Sequence, residues 1–297
     1  MSRILLVGAT GFVGRHVRAR AAATGVEIVA ASRSPEPGVL GLDLSAGAAR
    51  VGDALRDLAP DVVVNCAGVT AGSPADLVRG NVVAVANLVT ALAAAERPVR
   101  LVHLGSAAEY GEVEHGTPVT ESTRPRPHSL YGVTKLAGTE LVGGAPGAVV
   151  LRVFNPVGPG SPGSTLAGRL AGELRRTDGT DEDVHVGPLT ASRDLVDVRD
   201  VADAVLTAAL APGALPPVLN VGSGRATPLR DLAALLLRVT GSRRRVLEAA
   251  ATGSERSSGV AWQQADIRAI GHVLGWAPAT DLATSLRDLW AETACPG

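Results

Sequence analysis

Short apolar runs alternate with helical periodicities through the first half of this 297-residue chain. Residues 4–7 read as a strand, 12–23 as a helix and 27–31 as a second strand. A helix over 47–58 leads into a strand at 62–65, and a long alanine-rich helix over 75–95 is followed by a strand at 100–105. Each strand is a continuous apolar run without the alternation of a half-exposed sheet, so both of its faces are expected to be buried. Strands and helices taking turns in this way predict a mostly parallel, doubly wound sheet with helices on both faces.

The texture changes after Val153. Residues 155–163 hold three prolines and three glycines, 175–187 are polar, and 241–259 are rich in Arg and Ser. Two regions are therefore expected, an α/β unit over 1–154 and a smaller mixed α/β region over 155–297. The chain is expected to return to the first unit near 190–222, with residues 218–221 rejoining the sheet. Acidic and basic residues nearly cancel, to a net charge of −1, and aromatics make up 2% of the chain. That composition offers no basic, aromatic-interleaved stripe for nucleic acid. Two cysteines, Cys66 and Cys295, make neither a disulfide framework nor a metal site, and Cys66 reads as a small buried hydrophobe. The first residues enter a strand directly, without a leader pattern. No uninterrupted apolar run reaches the roughly 18 residues of a membrane span. A cytoplasmic protein without membrane partners is expected.

Chemistry enters at the first turn. Gly8-Ala9-Thr10-Gly11-Phe12-Val13-Gly14 follows the first strand and opens the first helix. Glycines there permit a tight turn and let backbone N–H groups approach a pyrophosphate at the helix N-terminus, the fingerprint of a Rossmann-type dinucleotide site. An acidic residue at the end of the second strand would bind a ribose 2′-OH and favour NAD. This chain has Ser32-Arg33 instead, a hydroxyl and a guanidinium that suit the 2′-phosphate of NADP(H) by charge-assisted contact. NAD(H) is the lesser expectation, and an ordinary solvated loop arginine is the plainer reading of Arg33. Asp43-Leu44 is placed near the adenine, with Asp43 able to meet the exocyclic amine.

Lys135 is the only lysine in the chain and stands four residues after Tyr131, one of two tyrosines; the other basic residues are arginines. Residues i and i+4 share a helix face, so both side chains address one ligand. A free phenol has a pKa of about 10, and a nearby ammonium favours its phenolate. The same compact ammonium can hold a ribose hydroxyl.

With the glycine loop, Tyr131 and Lys135 together, the chain resembles the extended short-chain dehydrogenase/reductase family, and within it the nucleotide-sugar epimerases, dehydratases and ketoreductases. Asn65-Cys66-Ala67-Gly68 is similar to that family's adenine-side strand end, and Asn81 to the asparagine opening the next helix. Leu104-Gly105-Ser106-Ala107-Ala108-Glu109-Tyr110-Gly111 looks like the segment with the catalytic Ser or Thr. Leu151-Arg152-Val153-Phe154-Asn155-Pro156-Val157-Gly158-Pro159 resembles the segment that meets nicotinamide and sugar, and Arg193 to Ala202 another family signature. The resemblance implies Ser106, Tyr131 and Lys135 as catalytic residues. It implies cofactor contacts from Gly8, Thr10, Gly11, Phe12, Val13, Gly14, Ser32, Arg33, Asp43, Leu44, Ala67, Gly68, Asn81, Tyr131, Lys135, Phe154 and Pro156. Contacts to a nucleotide-diphosphate sugar fall to Ser106, Ala107, Asn155, Arg193 and Arg256, and a homodimer is expected.

Departures from the pattern narrow the chemistry. Family dehydratases place an Asp-Glu pair directly after the Ser or Thr; here Ala107 and Ala108 stand there and cannot move a proton. Ala108 likewise disfavours the family's decarboxylases and 3,5-epimerising reductases. Glu109, one residue later, reads as structural. Two reactions remain that need only Ser, Tyr, Lys and nicotinamide. One is NADPH reduction of a nucleotide-linked 4-keto-6-deoxyhexose. The other is 4-epimerisation, whose enzymes the Phe154 to Gly158 wording resembles.

Overall fold

The structure, a computed structural model, describes residues 2–177, 182–248 and 259–292. In chain order its elements are β1 (Ile4–Val7), α1 (Phe12–Thr24), β2 (Ile28–Ser32), β3 (Leu40–Gly41), α2 (Ala48–Leu58), β4 (Val62–Asn65), α3 (Pro74–Val78), α4 (Ala84–Ala93), β5 (Arg100–Ser106), α5 (Leu130–Gly143) and β6 (Val149–Val153). Then come β7 (Pro156–Val157), α6 (Leu166–Arg176), β8 (Val184–Val186), β9 (Ser192–Asp194), β10 (Val196–Asp197), α7 (Val198–Leu210), β11 (Val218–Val221), β12 (Ala226–Pro228), α8 (Leu229–Thr240), β13 (Val246–Glu248), α9 (Arg268–Leu274) and α10 (Leu282–Glu292).

Seven strands pair in the order β3-β2-β1-β4-β5-β6-β11, all parallel. The period of two along a strand sends neighbouring residues to opposite faces. Ile4 and Leu6 accordingly pack with Val17, Val201 and Val205 of α1 and α7. Leu5 and Val7 pack with Val51, Leu55, Leu88 and Val142 of α2, α4 and α5. Covering both faces removes the alternation from the sequence, and burying each such side chain stabilises by about 1.5–3 kcal/mol. Val218 to Val221 does return to the sheet, at its β6 edge. A separate apolar cluster joins α6, α8 and α10 through Leu170, Leu174, Leu232, Leu236, Leu286 and Leu289.

The long helix expected over 75–95 is present as Pro74–Ala93 and contains one irregular turn. A π-helical turn at Arg79–Val83 separates α3 from α4. Within it Gly80 packs closely, and a Cβ there would lie 2.3 Å from Val69. The turn also brings Asn81 inward to accept from Val69 N–H (2.8 Å) and donate to Val69 O (2.8 Å) and Thr134 Oγ1 (3.1 Å). By length and hydropathy Pro74–Ala93 would suffice to cross a membrane, yet Leu77, Val85 and Leu88 on it are buried in the protein.

Candidate active site

Strand order reverses between β1 and β4, and the cleft opens there, at the C-terminal ends of the strands, where open α/β sheets bind ligands. The glycine loop forms its floor. Gly8 adopts φ +78°, and a Cβ there would come within 2.5 Å of the Ala67 nitrogen. At Gly14 a Cβ would sit 2.1 Å from the Gly8 carbonyl oxygen, so helix and loop meet only as glycines. Gly11 caps α1 without any side-chain hydrogen bond. The first amides of α1 therefore stay available to an anion, as a dinucleotide pyrophosphate requires. Thr10 Oγ1 and Ser32 Oγ share a 2.8 Å hydrogen bond, tying the loop to the end of β2, and Arg33 beside them is exposed. Phe12, Val13, Ala67, Gly68, Asn81 and Pro156 also line the cleft, about 640 Å³ in volume. The glycine cradle and the uncapped helix fit a nicotinamide dinucleotide.

Two expected cofactor residues play other parts. Phe154 is fully buried and packs against Tyr110, with ring centroids 6.1 Å apart, because its position in the segment turns its side chain into the core. Leu44 points into the core as well, and its carbonyl accepts from Asn87 at 2.8 Å. Asp43 caps the following turn, accepting from Ser45 N–H and Oγ–H at 2.8 Å each. Asn81 lines the cleft, but its amide is committed to Val69 and Thr134.

Ser106, Tyr131 and Lys135 meet on one wall of the cleft. Ser129 caps α5, accepting from Gly132 N–H at 3.1 Å and fixing where the helix starts, and four residues apart on it Tyr131 and Lys135 share one face. Lys135 is buried and its Nζ donates to Leu104 O at 2.6 Å. Burial lowers its pKa below the ordinary lysine value, while the Glu109 carboxylate beneath it acts in the opposite sense. Ser106 Oγ accepts from Ala108 N–H at 3.2 Å, which uses a lone pair and leaves the hydroxyl proton to donate. Cys66 lies on the cleft wall while packing on the core, and burial pushes its thiol up to about 12, where it stays protonated. His103 is internal; its Nδ1 shares a 3.1 Å hydrogen bond with Asn65 Nδ2.

Arg193 also lines the cleft, is 6% exposed and donates to Ser192 O (2.9 Å) and Val260 O (2.6 Å). Burial lowers its guanidinium to about 10. Asn155 also lines the cleft, its Nδ2 donating to Asp194 O at 2.8 Å. Arg256 lies outside the described residues. Two further residues were invisible to sequence reasoning. Arg169 of α6 lines the cleft, and its Nε is buried without a hydrogen-bond partner among the described residues. Gln263 reaches from the C-terminal part to donate from Nε2 to Ala107 O at 2.8 Å. Neither stands in a motif; only folding brings them to the cleft.

Residues 4–222 match the model of the NAD dependent epimerase/dehydratase family. The chain belongs to that family. A dTDP-6-deoxy-L-talose 4-dehydrogenase (NAD(P)(+)) of Kitasatospora kifunensis is 40% identical over 99% of this chain and 97% of its own. The structure of RMD from Pseudomonas aeruginosa complexed with NADPH superposes with a TM-score of 0.85 at 28% identity, covering 99% of this chain and 100% of the other. MoeE5 in complex with UDP-glucose and NAD gives 0.83 at 29% identity, covering 98% of each chain. This member of the epimerase/dehydratase family is thus an NAD(P)-dependent enzyme of the short-chain dehydrogenase/reductase type with a nicotinamide cofactor.

Proposed function

We propose that the enzyme reduces the 4-keto group of a nucleotide-linked 6-deoxyhexose, with NADPH as the preferred reductant. The observation that carries this reading is the pair Ala107 and Ala108 beside Ser106 in the cleft wall. With no acid or base at those positions, proton transfer falls to Tyr131 alone. A bound nicotinamide supplies the hydride for the carbonyl carbon. Tyr131 gives its phenolic proton to the carbonyl oxygen, and Ser106 donates a hydrogen bond that orients that oxygen. Lys135 favours the negative charge left on the tyrosine oxygen and holds the nicotinamide ribose. Likeness to a sugar 4-dehydrogenase supports the reading, since that oxidation and this reduction are one reaction run in opposite directions.

Ser32 and Arg33 would hold the 2′-phosphate of NADPH. Arg193 and Arg169 would hold the nucleotide diphosphate, because buried or half-buried guanidinium groups lining a cleft favour an anion there. Asn155 and Ala107 would border the sugar. Residues 155–297 would form most of the sugar-nucleotide side, and 1–154 most of the cofactor side. The exposed apolar side chains Val78, Val83, Leu130, Val133 and Leu141 around α3 to α5 would form a homodimer face.

The test follows NADPH absorbance while purified enzyme meets a dTDP-4-keto-6-deoxyhexose, with NADH in parallel. Stoichiometric NADPH loss that disappears in Tyr131→Phe supports the reductase. Interconversion of unreduced nucleotide sugars without net cofactor change would replace it with 4-epimerisation. That chemistry also needs only Ser106, Tyr131 and Lys135, and its enzymes resemble this chain at Phe154 to Gly158.

A further inference from the structure

Beneath the catalytic wall lies an ion pair that the proposed chemistry does not use. Glu109 is fully buried and Arg152 is 3% exposed. Arg152 Nε donates to Glu109 Oε2 at 2.7 Å. The other carboxylate oxygen, Oε1, accepts from the Ser106 backbone N–H at 2.7 Å. Arg152 in turn stacks over the Tyr110 ring, 4.6 Å from its centroid, and Tyr110 Oη donates to Asn220 Oδ1 at 2.7 Å. One chain of contacts therefore runs from Ser106 on β5 through Arg152 on β6 to Asn220 on β11.

Burying two charges is costly, and a hydrophobic pair of similar volume often serves stability as well or better. A neutral side chain would leave the turn after β5 without a charged acceptor at Ser106. The geometry shows what the charge does there. A carboxylate holding one backbone N–H by a short, charge-assisted bond fixes the residue that bears it. Ser106 is extended (φ −146°, ψ 143°), and Glu109 closes the single turn over Ala107–Glu109 back onto it. A Cβ on Gly105 would come 2.8 Å from Glu109 Oε1, so the carboxylate needs glycine beside it to reach Ser106.

We infer that Glu109, held by Arg152, is a positioning residue for the reaction, fixing the Ser106 hydroxyl through the Ser106 backbone amide. This rests on the proposed role of Ser106 as the hydroxyl that orients the reacting oxygen. The carboxylate is fully buried; it also favours the Lys135 ammonium, but both double variants remove that charge alike, and the positioning passes through Ser106.

Two double variants separate this role from simple stabilisation. Glu109→Gln/Arg152→Met and Glu109→Leu/Arg152→Met both remove the ion pair, but only the first keeps a carbonyl oxygen for the Ser106 N–H. In the full-length protein the Leu variant is expected to exchange its Ser106 amide proton about tenfold faster or more than the Gln variant, as loss of about one hydrogen bond implies. With turnover measured, kcat of the Leu variant should fall about tenfold or more below that of the Gln variant, while KM stays within about twofold. In a Ser106→Ala background that difference should vanish. Equal exchange at Ser106 in the two folded variants, equal kcat, or a difference that survives Ser106→Ala would each overturn the inference. If neither double variant folds, amide exchange in Arg152→Lys decides: loosening confined to Ser106–Ala108 supports the role, and unchanged or uniformly increased exchange overturns it. Absence of turnover in the wild type would refute the reductase reading, and the exchange measurement would still decide the positioning.

Discussion

Lys135 Nζ donates a 2.6 Å hydrogen bond to the Leu104 carbonyl oxygen from a buried position on α5. Leu104 lies two residues before Ser106 on β5, so one contact joins the helix bearing Tyr131 to the strand bearing the serine. Burial depresses the lysine's pKa, and Glu109 opposes that shift. Lys135→Met should therefore lower kcat by about 10²- to 10⁴-fold, the usual range for lost support of a proton donor. Cofactor affinity should weaken as well, which isothermal titration with NADPH would measure.

In the proposed reaction Tyr131 is the proton donor. Tyr131→Phe keeps the ring and removes only the hydroxyl. Turnover should fall by about 10²- to 10⁴-fold while NADPH still binds. Stopped assays for product beside fluorescence titration of the cofactor would separate the two effects, and retained turnover would remove Tyr131 from the mechanism.

In the proposed function Ser32 and Arg33 select NADPH. Arg33 is exposed and Ser32 is hydrogen-bonded to Thr10, so replacing the arginine disturbs little of the fold. A charge-assisted bond to phosphate is worth about 1.5–3 kcal/mol, so Arg33→Ala should raise KM for NADPH about tenfold or more and leave NADH unchanged. Equal effects on both cofactors would place the guanidinium away from a 2′-phosphate.

Arg169 gives a test on the substrate side. Arg169→Met keeps the aliphatic stem and removes the guanidinium. Loss of a contact equally strong in ground and transition states raises KM without changing kcat. A rise of about tenfold or more in KM for the nucleotide sugar is expected by the same charge-assisted magnitude. Initial rates against substrate concentration would show it, and an unchanged KM would exclude Arg169 from the diphosphate site.

Asp197, at the end of β10, ties that strand to α7 and α10. Its carboxylate accepts from Arg199 N–H (2.7 Å), Arg199 Nε (2.9 Å) and Ser285 Oγ (2.5 Å). Burial pushes its pKa up, but the bonds from Arg199 and Ser285 outweigh it and hold the carboxyl below the ordinary 3.8. The unfolded chain therefore binds more protons between the folded value and 3.8. This stabilisation is complete above 3.8 and is lost as pH falls through the folded value. Asp197→Asn should cost about 2 kcal/mol near neutrality and flatten the loss of stability in acid. Urea unfolding across that range would show whether the two curves converge at low pH.

The sequence by itself determined the sheet, the glycine loop and the Tyr131–Lys135 spacing. These are local facts: continuous apolar runs, a turn that only glycine permits, and two residues one helical turn apart. Ser32-Arg33 and Ala107-Ala108 were legible for the same reason, since each lies in a motif of fixed register. Only the tertiary structure showed the π-helical turn at Arg79–Val83, where Gly80 meets Val69 across a loop. It also sent Phe154 and Leu44 into the core, since a residue's side of a segment depends on what packs against it. Arg169, Gln263 and the bond from Glu109 to Ser106 and Arg152 belong to the same class. Their partners lie far away along the chain or turn on an exact approach of backbone to carboxylate, and neither appears in composition or periodicity.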